Sequence, residues 1–202
     1  MLNGVPPPNA RERSRIETRR RLLEAGARVF AERGIARARA ADICRGAGVA
    51  VGTLYLHFDD KEALLRELLF RGVAELGARL RQSFETSPGG VEQIVRQQVE
   101  TLVSLAEDHP AICRILFSTE VANTAIGPEV LRLLAGMQED ALREGIARGH
   151  VRSDVDPKVA AQILVGMQMH VLSWWTRDPS VSPREVIIDT LTKVRLSGLN
   201  TT

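Results

Sequence analysis

Gly52, Thr53 and His57 fall on one face of the short segment VGTLYLHF, residues 51–58. An absent side chain, a hydroxyl and an imidazole at that spacing allow close approach to a duplex, where the polar groups reach phosphate oxygens. Little else in the chain offers competing chemistry. Its four histidines, His57, His109, His150 and His170, are scattered, and no Glu lies three residues before any of them. Neither a Gly-x-Ser-x-Gly elbow nor a phosphate loop occurs. Cys44 and Cys113 stand far apart, without metal-ligand spacing or a disulfide framework, and read as buried thiols. No catalytic residue, cofactor or metal site is expected.

Two short helices must position that face. In the first, Ala40, Ile43, Cys44 and Ala47 recur at i, i+3, i+4 and i+7 and turn inward. Gly48 follows, a residue that accepts positive φ and lets the chain reverse within a few residues, as a helix-turn-helix requires. In the second, Val51, Leu54, Tyr55 and Phe58 repeat the spacing, with Tyr55 able to turn its ring inward and its hydroxyl outward. A preceding helix is expected over 11–33 with an inner stripe of Leu22, Gly26, Val29 and Phe30, ended by Gly34. Asp59 and Glu62 form a capping pair that opens a long helix striped by Leu64, Leu65, Leu68, Gly72, Leu76 and Leu80. Lys61 sits in its first turn, where an ammonium and free backbone N–H groups could converge on one phosphate.

Charge supports the same half of the chain. Residues 1–70 hold 13 Lys+Arg against 9 Asp+Glu, whereas residues 71–202 hold 14 against 16. Arg11, Arg13, Arg15, Arg19, Arg20 and Arg21 concentrate the excess at the start of the first helix, as an arm along a phosphate backbone would. With 44% apolar and 26% charged residues, the 202-residue chain has an ordinary globular composition. No apolar run approaches the ~18–20 residues that cross a bilayer, and residues 1–10 lack the blocks of a secretory signal, so a cytoplasmic protein without a membrane partner is expected.

Beyond a break at Thr86, Ser87, Pro88, Gly89 and Gly90, helices are expected over 91–108, 111–124, 128–148, 157–176 and 183–197, and no strand pattern competes. Asp156 with Pro157, and Ser182 with Pro183 and Glu185, mark two helix starts. The fold class is therefore all-α. The last two helices offer an unusual amount of apolar surface, Val159, Ile163, Met167, Val171 and Trp174 on one and Val186, Ile187, Leu191 and Val194 on the other. Such surface fits either an ordinary core or a two-fold four-helix interface. Cys113, Phe117, Met137, Met167, His170 and Trp174 are soft or aromatic candidates to line a cavity, each equally able to be plain core.

The run AGVAVGTLYLHF followed by DDKEAL resembles the signature of TetR-type transcriptional regulators, a likeness strong from Arg11 to about Leu69 and carried beyond by helix number and length. The resemblance implies a tail over 1–10, a three-helix DNA-binding domain over 11–70 and a larger helical effector-binding and dimerisation domain over 71–202. It implies a DNA-facing set of Arg39, Val51, Gly52, Thr53, Tyr55, His57 and Lys61. It also favours the two-fold reading of the final helices, with Ile163, Val171, Ile187, Leu191 and Val194 at the contact. A homodimer on a near-palindromic operator follows, because one short helix reads only a few base pairs. The implied mechanism is repression relieved by a small, largely apolar effector. The segment HPAICRILFSTE resembles regulators of lipid metabolism, which points to an acyl or aromatic ligand. Three positions depart from the family pattern: its members carry Thr or Ser where this chain has Ala38, Arg39 and Ala50, and lost caps cost about 1 kcal/mol each. Arg39 offers a phosphate contact in exchange. Competing readings are a DNA-binding dimer without an effector and an all-helical enzyme.

Overall fold

The computed structural model describes residues 9–86, 90–116 and 118–199, and no strand occurs among them. Residues 1–8 of the tail expected over 1–10, residues 87–89 of the expected break and the cavity candidate Phe117 lie outside the described residues, while Asn9 and Ala10 belong to the start of the first helix and not to a tail. The chain divides into two compact units, Met1–Leu68 and Leu69–Thr202.

In the first unit, helix α1 (Ala10–Arg33) begins where the Asn9 side chain accepts from the Glu12 N–H at 2.9 Å. It ends at Gly34, whose φ of 79° few other residues adopt. Leu22, Gly26, Val29 and Phe30 are buried as expected. A Cβ on Gly26 would stand 2.5 Å from Leu64 Cδ2, so the glycine is what lets Leu64 lie against α1. Helix α2 (Ala40–Ala47) buries Ile43, Cys44 and Ala47. Gly48 then takes the left-handed conformation, φ 65° and ψ 41°, and its N–H and that of Val49 close onto the carbonyls of Arg45 and Cys44. As the departures at Arg39 and Ala50 imply, neither residue supplies a side-chain cap to α2 or to α3 (Val51–Tyr55).

Helix α3 differs from the sequence expectation in which residues it buries. Leu54 and Phe58 are in the core, but Val51 is 49% exposed and Tyr55 57%. The helix is only five residues long and the chain leaves helical geometry before Phe58, so a stripe extrapolated over 51–58 mixes two faces. Helix α4 (Lys61–Thr86) starts one residue later than expected, with Asp60 Oδ1 accepting from the Ala63 N–H at 2.6 Å.

The second unit continues α4 and adds α5 (Val91–Asp108), α6 (Pro110–Leu116), α7 (Thr119–Ala122), α8 (Gly127–Ala147), α9 (Pro157–Trp175) and α10 (Arg184–Leu199). The single helix expected over 111–124 is two. Ser118 adopts an extended backbone and its hydroxyl accepts from the Val121 N–H at 3.3 Å, restarting the chain as α7. Asp156 caps α9 as expected, accepting from the Val159 N–H at 2.8 Å, with Pro157 at the first helical position. Val99 and Val103 of α5, Leu172 and Trp175 of α9 and Ile187, Ile188 and Leu191 of α10 form one buried cluster. Ile187 and Leu191, expected at a contact between chains, are thus core residues of a single chain, Ile187 only 5% exposed. Val186, about 100° round the helix from Ile187, is instead 49% exposed.

Two stability outcomes follow. Gly48→Ala forces an L side chain into left-handed backbone, with its Cβ 2.8 Å from an Arg21 Nη2, and should lower unfolding free energy by about 1–2 kcal/mol in urea titrations. Ile187→Asp places an unpaired carboxylate in the cluster and should cost about 3–5 kcal/mol, read as loss of cooperative unfolding rather than as a clean change of oligomeric state.

Candidate functional site

A five-residue helix is presented to solvent by its neighbours. Leu54 is fully buried, Phe58 packs beneath, and the Cys44 thiol reaches the Val51 carbonyl at 3.5 Å. Burial raises the Cys44 pKa, so the thiol stays protonated and serves as a weak donor. On the outer side stand Val51, Gly52 and Tyr55, with Thr53 half-buried beside them. A Cβ on Gly52 would meet nothing within 4 Å. Leu56, which the sequence reading passed over, is at 75% the most exposed large apolar side chain among the described residues. An outward run of Val51, Tyr55 and Leu56 on so small a unit is the kind of apolar patch that marks a contact surface. Arg39 is exposed at the start of α2.

His57 is half-buried, and its Nδ1 is buried without a hydrogen-bond partner. Burial, then the charges of Arg19 and Arg15, hold its pKa below the usual imidazole range, so it is neutral at pH 7. Lys61 differs from the expected free ammonium. Its Nζ donates to the carbonyls of Ile35 at 3.0 Å, Ala38 at 3.2 Å and Ala36 at 3.4 Å. An ammonium has three donors, and three acceptors of the α1–α2 connection take them.

The arginine arm is likewise divided. Arg19 pairs through two nitrogens with Glu67, donates to the His57 carbonyl and lies 4.2 Å over the Phe58 ring, tying α1 to α4 and to the end of α3. Arg20 bridges Glu17 and Glu24 along α1, and Arg21 donates to the Ala47 and Gly48 carbonyls. Arg11, Arg13 and Arg15 are exposed, and no ion pair holds them among the described residues.

In the second unit, a cavity of about 390 Å³ is lined by Leu102, Ile112, Leu172 and two of the expected residues, Cys113 and Met137. Gly72 and Gly77 let Ile112 and Met137 approach α4. Burial pushes the Cys113 thiol up to about 12, so it presents a neutral sulfur. Gln168, missed in the sequence reading, lines the same cavity at 5% exposure, and its Nε2 has no partner. The signal was a lone amide inside the apolar run ILVGMQMHVL. Met167 instead packs against two core clusters. His170 and Trp174 face solvent and line neither this cavity nor the second one described below.

The outer faces of α9 and α10 expose large apolar side chains among polar ones. Ile163 is 63% exposed, and Val159, Trp174, Val186 and Val194 are each about half exposed, while Val171 is half-buried against the core. Among the described residues no helix is long and apolar enough to cross a membrane, and no cluster of metal-ligating side chains occurs.

Residues 22–68 match the family model for bacterial regulatory proteins, tetR family, and residues 88–199 match that of the tetracyclin repressor-like C-terminal domain. The HTH-type transcriptional repressor KstR2 of Rhodococcus jostii is 28% identical, covering 96% of this chain and 94% of its own length. Two solved structures share the fold. The fatty acid degradation regulator FadR of Bacillus halodurans has a TM-score of 0.78 at 24% identity, covering 90% of this chain and 99% of that one. FadR of Bacillus subtilis, in complex with stearoyl-CoA, has a TM-score of 0.77 at 21% identity, covering 89% and 98%. With one model matching more than half of the sequence and the other matching the helix-turn-helix, this chain belongs to the tetR family of bacterial transcriptional regulators.

Proposed function

We propose that this regulator acts as a homodimeric repressor, bound through α3 to a near-palindromic operator and released when a small, largely apolar molecule occupies the 390 Å³ cavity. The observation that carries the DNA reading is the outward face of Val51, Gly52, Thr53 and Tyr55 on a helix whose inner face is anchored in the core. Gly52 permits close approach of the backbone, and the Val51 methyls suit a thymine C5-methyl in the major groove. Thr53 and Tyr55 carry hydroxyls toward bases or phosphates, Arg39 and the unpaired Arg11, Arg13 and Arg15 supply positive charge, and His57 borders the same surface. Lys61 contributes indirectly, by holding the α1–α2 connection.

The apolar side chains exposed on α9 and α10 support a two-fold contact through Val159, Ile163, Trp174, Val186 and Val194. The cavity and the unpartnered Gln168 amide favour an effector-controlled regulator over one governed by concentration alone. An acyl or aromatic ligand fits the lining, and the stearoyl-CoA held by the Bacillus subtilis FadR agrees with the acyl choice.

Selection of duplexes from a randomised pool tests the reader. Val51→Ala and Thr53→Ala should each change the preferred bases at one or two positions per half-site, by about 1–3 kcal/mol per base pair. Weakening spread evenly over all sequences would assign these side chains to backbone positioning instead. Sedimentation tests the dimer: Ile163→Asp should remain folded by circular dichroism, sediment as a monomer and lose operator affinity by about a hundredfold or more. A dimer that persists in this variant puts the interface elsewhere.

A further inference from the structure

A second cavity of about 580 Å³ lies in the same unit, and it shares Gln98, Met137, Gln138, Asp140 and Ala141 with the first. The two therefore adjoin, as neighbouring chambers with those residues as a common wall. Arg195 of α10 lines the second chamber alone, at 7% exposure. Its Nη2 donates to Gln98 Oε1 at 2.8 Å, while its Nε is buried with no partner. Among the described residues no carboxylate stands within ion-pair distance of it. Glu144, on the same chamber, is paired with Arg148 at 2.7 Å, and Asp140 is solvent-exposed. A guanidinium has five donors, and one neutral amide oxygen is a poor return for burying its charge. Burial alone lowers its pKa to about 10, so it remains charged at neutral pH.

We infer that Arg195 anchors an oxyanion, so that the effector is an amphipathic acid with its apolar body in the first chamber and a carboxylate or phosphate on Arg195 in the second. Both head groups match the planar fork of a guanidinium in a bidentate pair. Gln98 borders both chambers and already bonds Arg195, which makes it the joint between body and head. Gln168, with its unpartnered amide in the first chamber, is placed to donate to an oxygen further along the ligand. This inference rests on the effector reading of the first chamber.

Calorimetric titration of the full chain with dodecanoate, dodecyl phosphate and dodecanol separates the possibilities. At least one anion should bind about tenfold or more tightly than the alcohol, the tighter of the two naming the head group. Arg195→Gln should erase that advantage while leaving dodecanol affinity unchanged, and Arg195→Lys should restore part of it. Equal affinity for the alcohol and both anions in the unaltered protein overturns the anchor while leaving the cavity reading intact, and this comparison needs no variant. An advantage that survives in Arg195→Gln overturns it also. If none of the three binds, the effector reading of the cavity fails, and the anchor with it.

Discussion

A helix of five residues has no stability of its own, because forming the first turn fixes several dihedrals for one hydrogen bond. Whatever α3 presents to DNA therefore depends on how Leu54 and Phe58 are gripped from below. That grip is assembled from distant parts of the sequence. The same unit buries Leu22 and Phe30 of α1, Ile43 and Cys44 of α2, and Leu64 and Leu65 of α4. Arg19 fastens the assembly by pairing with Glu67, holding the His57 carbonyl and stacking on Phe58. With two residues anchored, the remaining side chains of α3 have no choice but to point outward. The reading surface is in this sense a by-product of core packing.

The same allocation explains why a charge count overstates the positive surface. Of the six arginines that open α1, three are engaged within the protein, and Lys61 satisfies three carbonyls where α1 turns into α2. Arg19, Arg21 and Lys61 tie together segments of the unit that carries α3, so removal of any of them would disturb DNA binding through structure as well as through charge, whereas Arg20 pairs only along its own helix. Arg11, Arg13 and Arg15 are different. They lie on the exposed first turns of α1, where counterion release on meeting a phosphate backbone is unopposed by an internal partner.

Helix positions were legible in the sequence wherever a terminus carries its own chemistry. Gly34, Gly48 and the Asp156–Pro157 pair each mark a boundary found in the structure. Legibility failed at Ser118, a serine inside an apolar-periodic run, where a weak local cap competes with helix continuation. It failed again in assigning faces. On α10 both Val186 and Ile187 are apolar, and periodicity alone gives no means of telling the face that meets its own chain from the one left bare. The cavity lining was half legible: Cys113 and Met137 were found through their softness, but His170 and Trp174 were misplaced by one helical face, and Gln168 was passed over in favour of its sulfur neighbours. A buried amide is harder to recognise than a buried apolar group, because its position depends on an unpaired hydrogen-bonding capacity that sequence does not display.

Buried under-satisfied donors bear directly on regulation. A ligand shifts a conformational equilibrium only by its difference in affinity for the two states, and about 1.4 kcal/mol is required for a tenfold change in the DNA-binding population. Apolar contact alone gives a modest difference, since Leu102 and Leu172 can repack against one another if the chamber contracts. Polar groups discriminate more sharply. Gln168 Nε2 and Arg195 Nε lack protein partners, so a conformer that holds a ligand oxygen against either gains a bond that a contracted conformer does not offer. Because these groups sit on α9 and α10, the two helices that also expose Val159, Ile163, Trp174, Val186 and Val194, the proposed ligand contact and the proposed chain-to-chain contact would act on opposite sides of the same elements. A rotation of α9 small enough to bring Gln168 onto a ligand oxygen would carry Ile163 and Trp174 with it. A coupling between the proposed effector and the proposed dimer would therefore require no separate relay beyond the rigidity of a 19-residue helix.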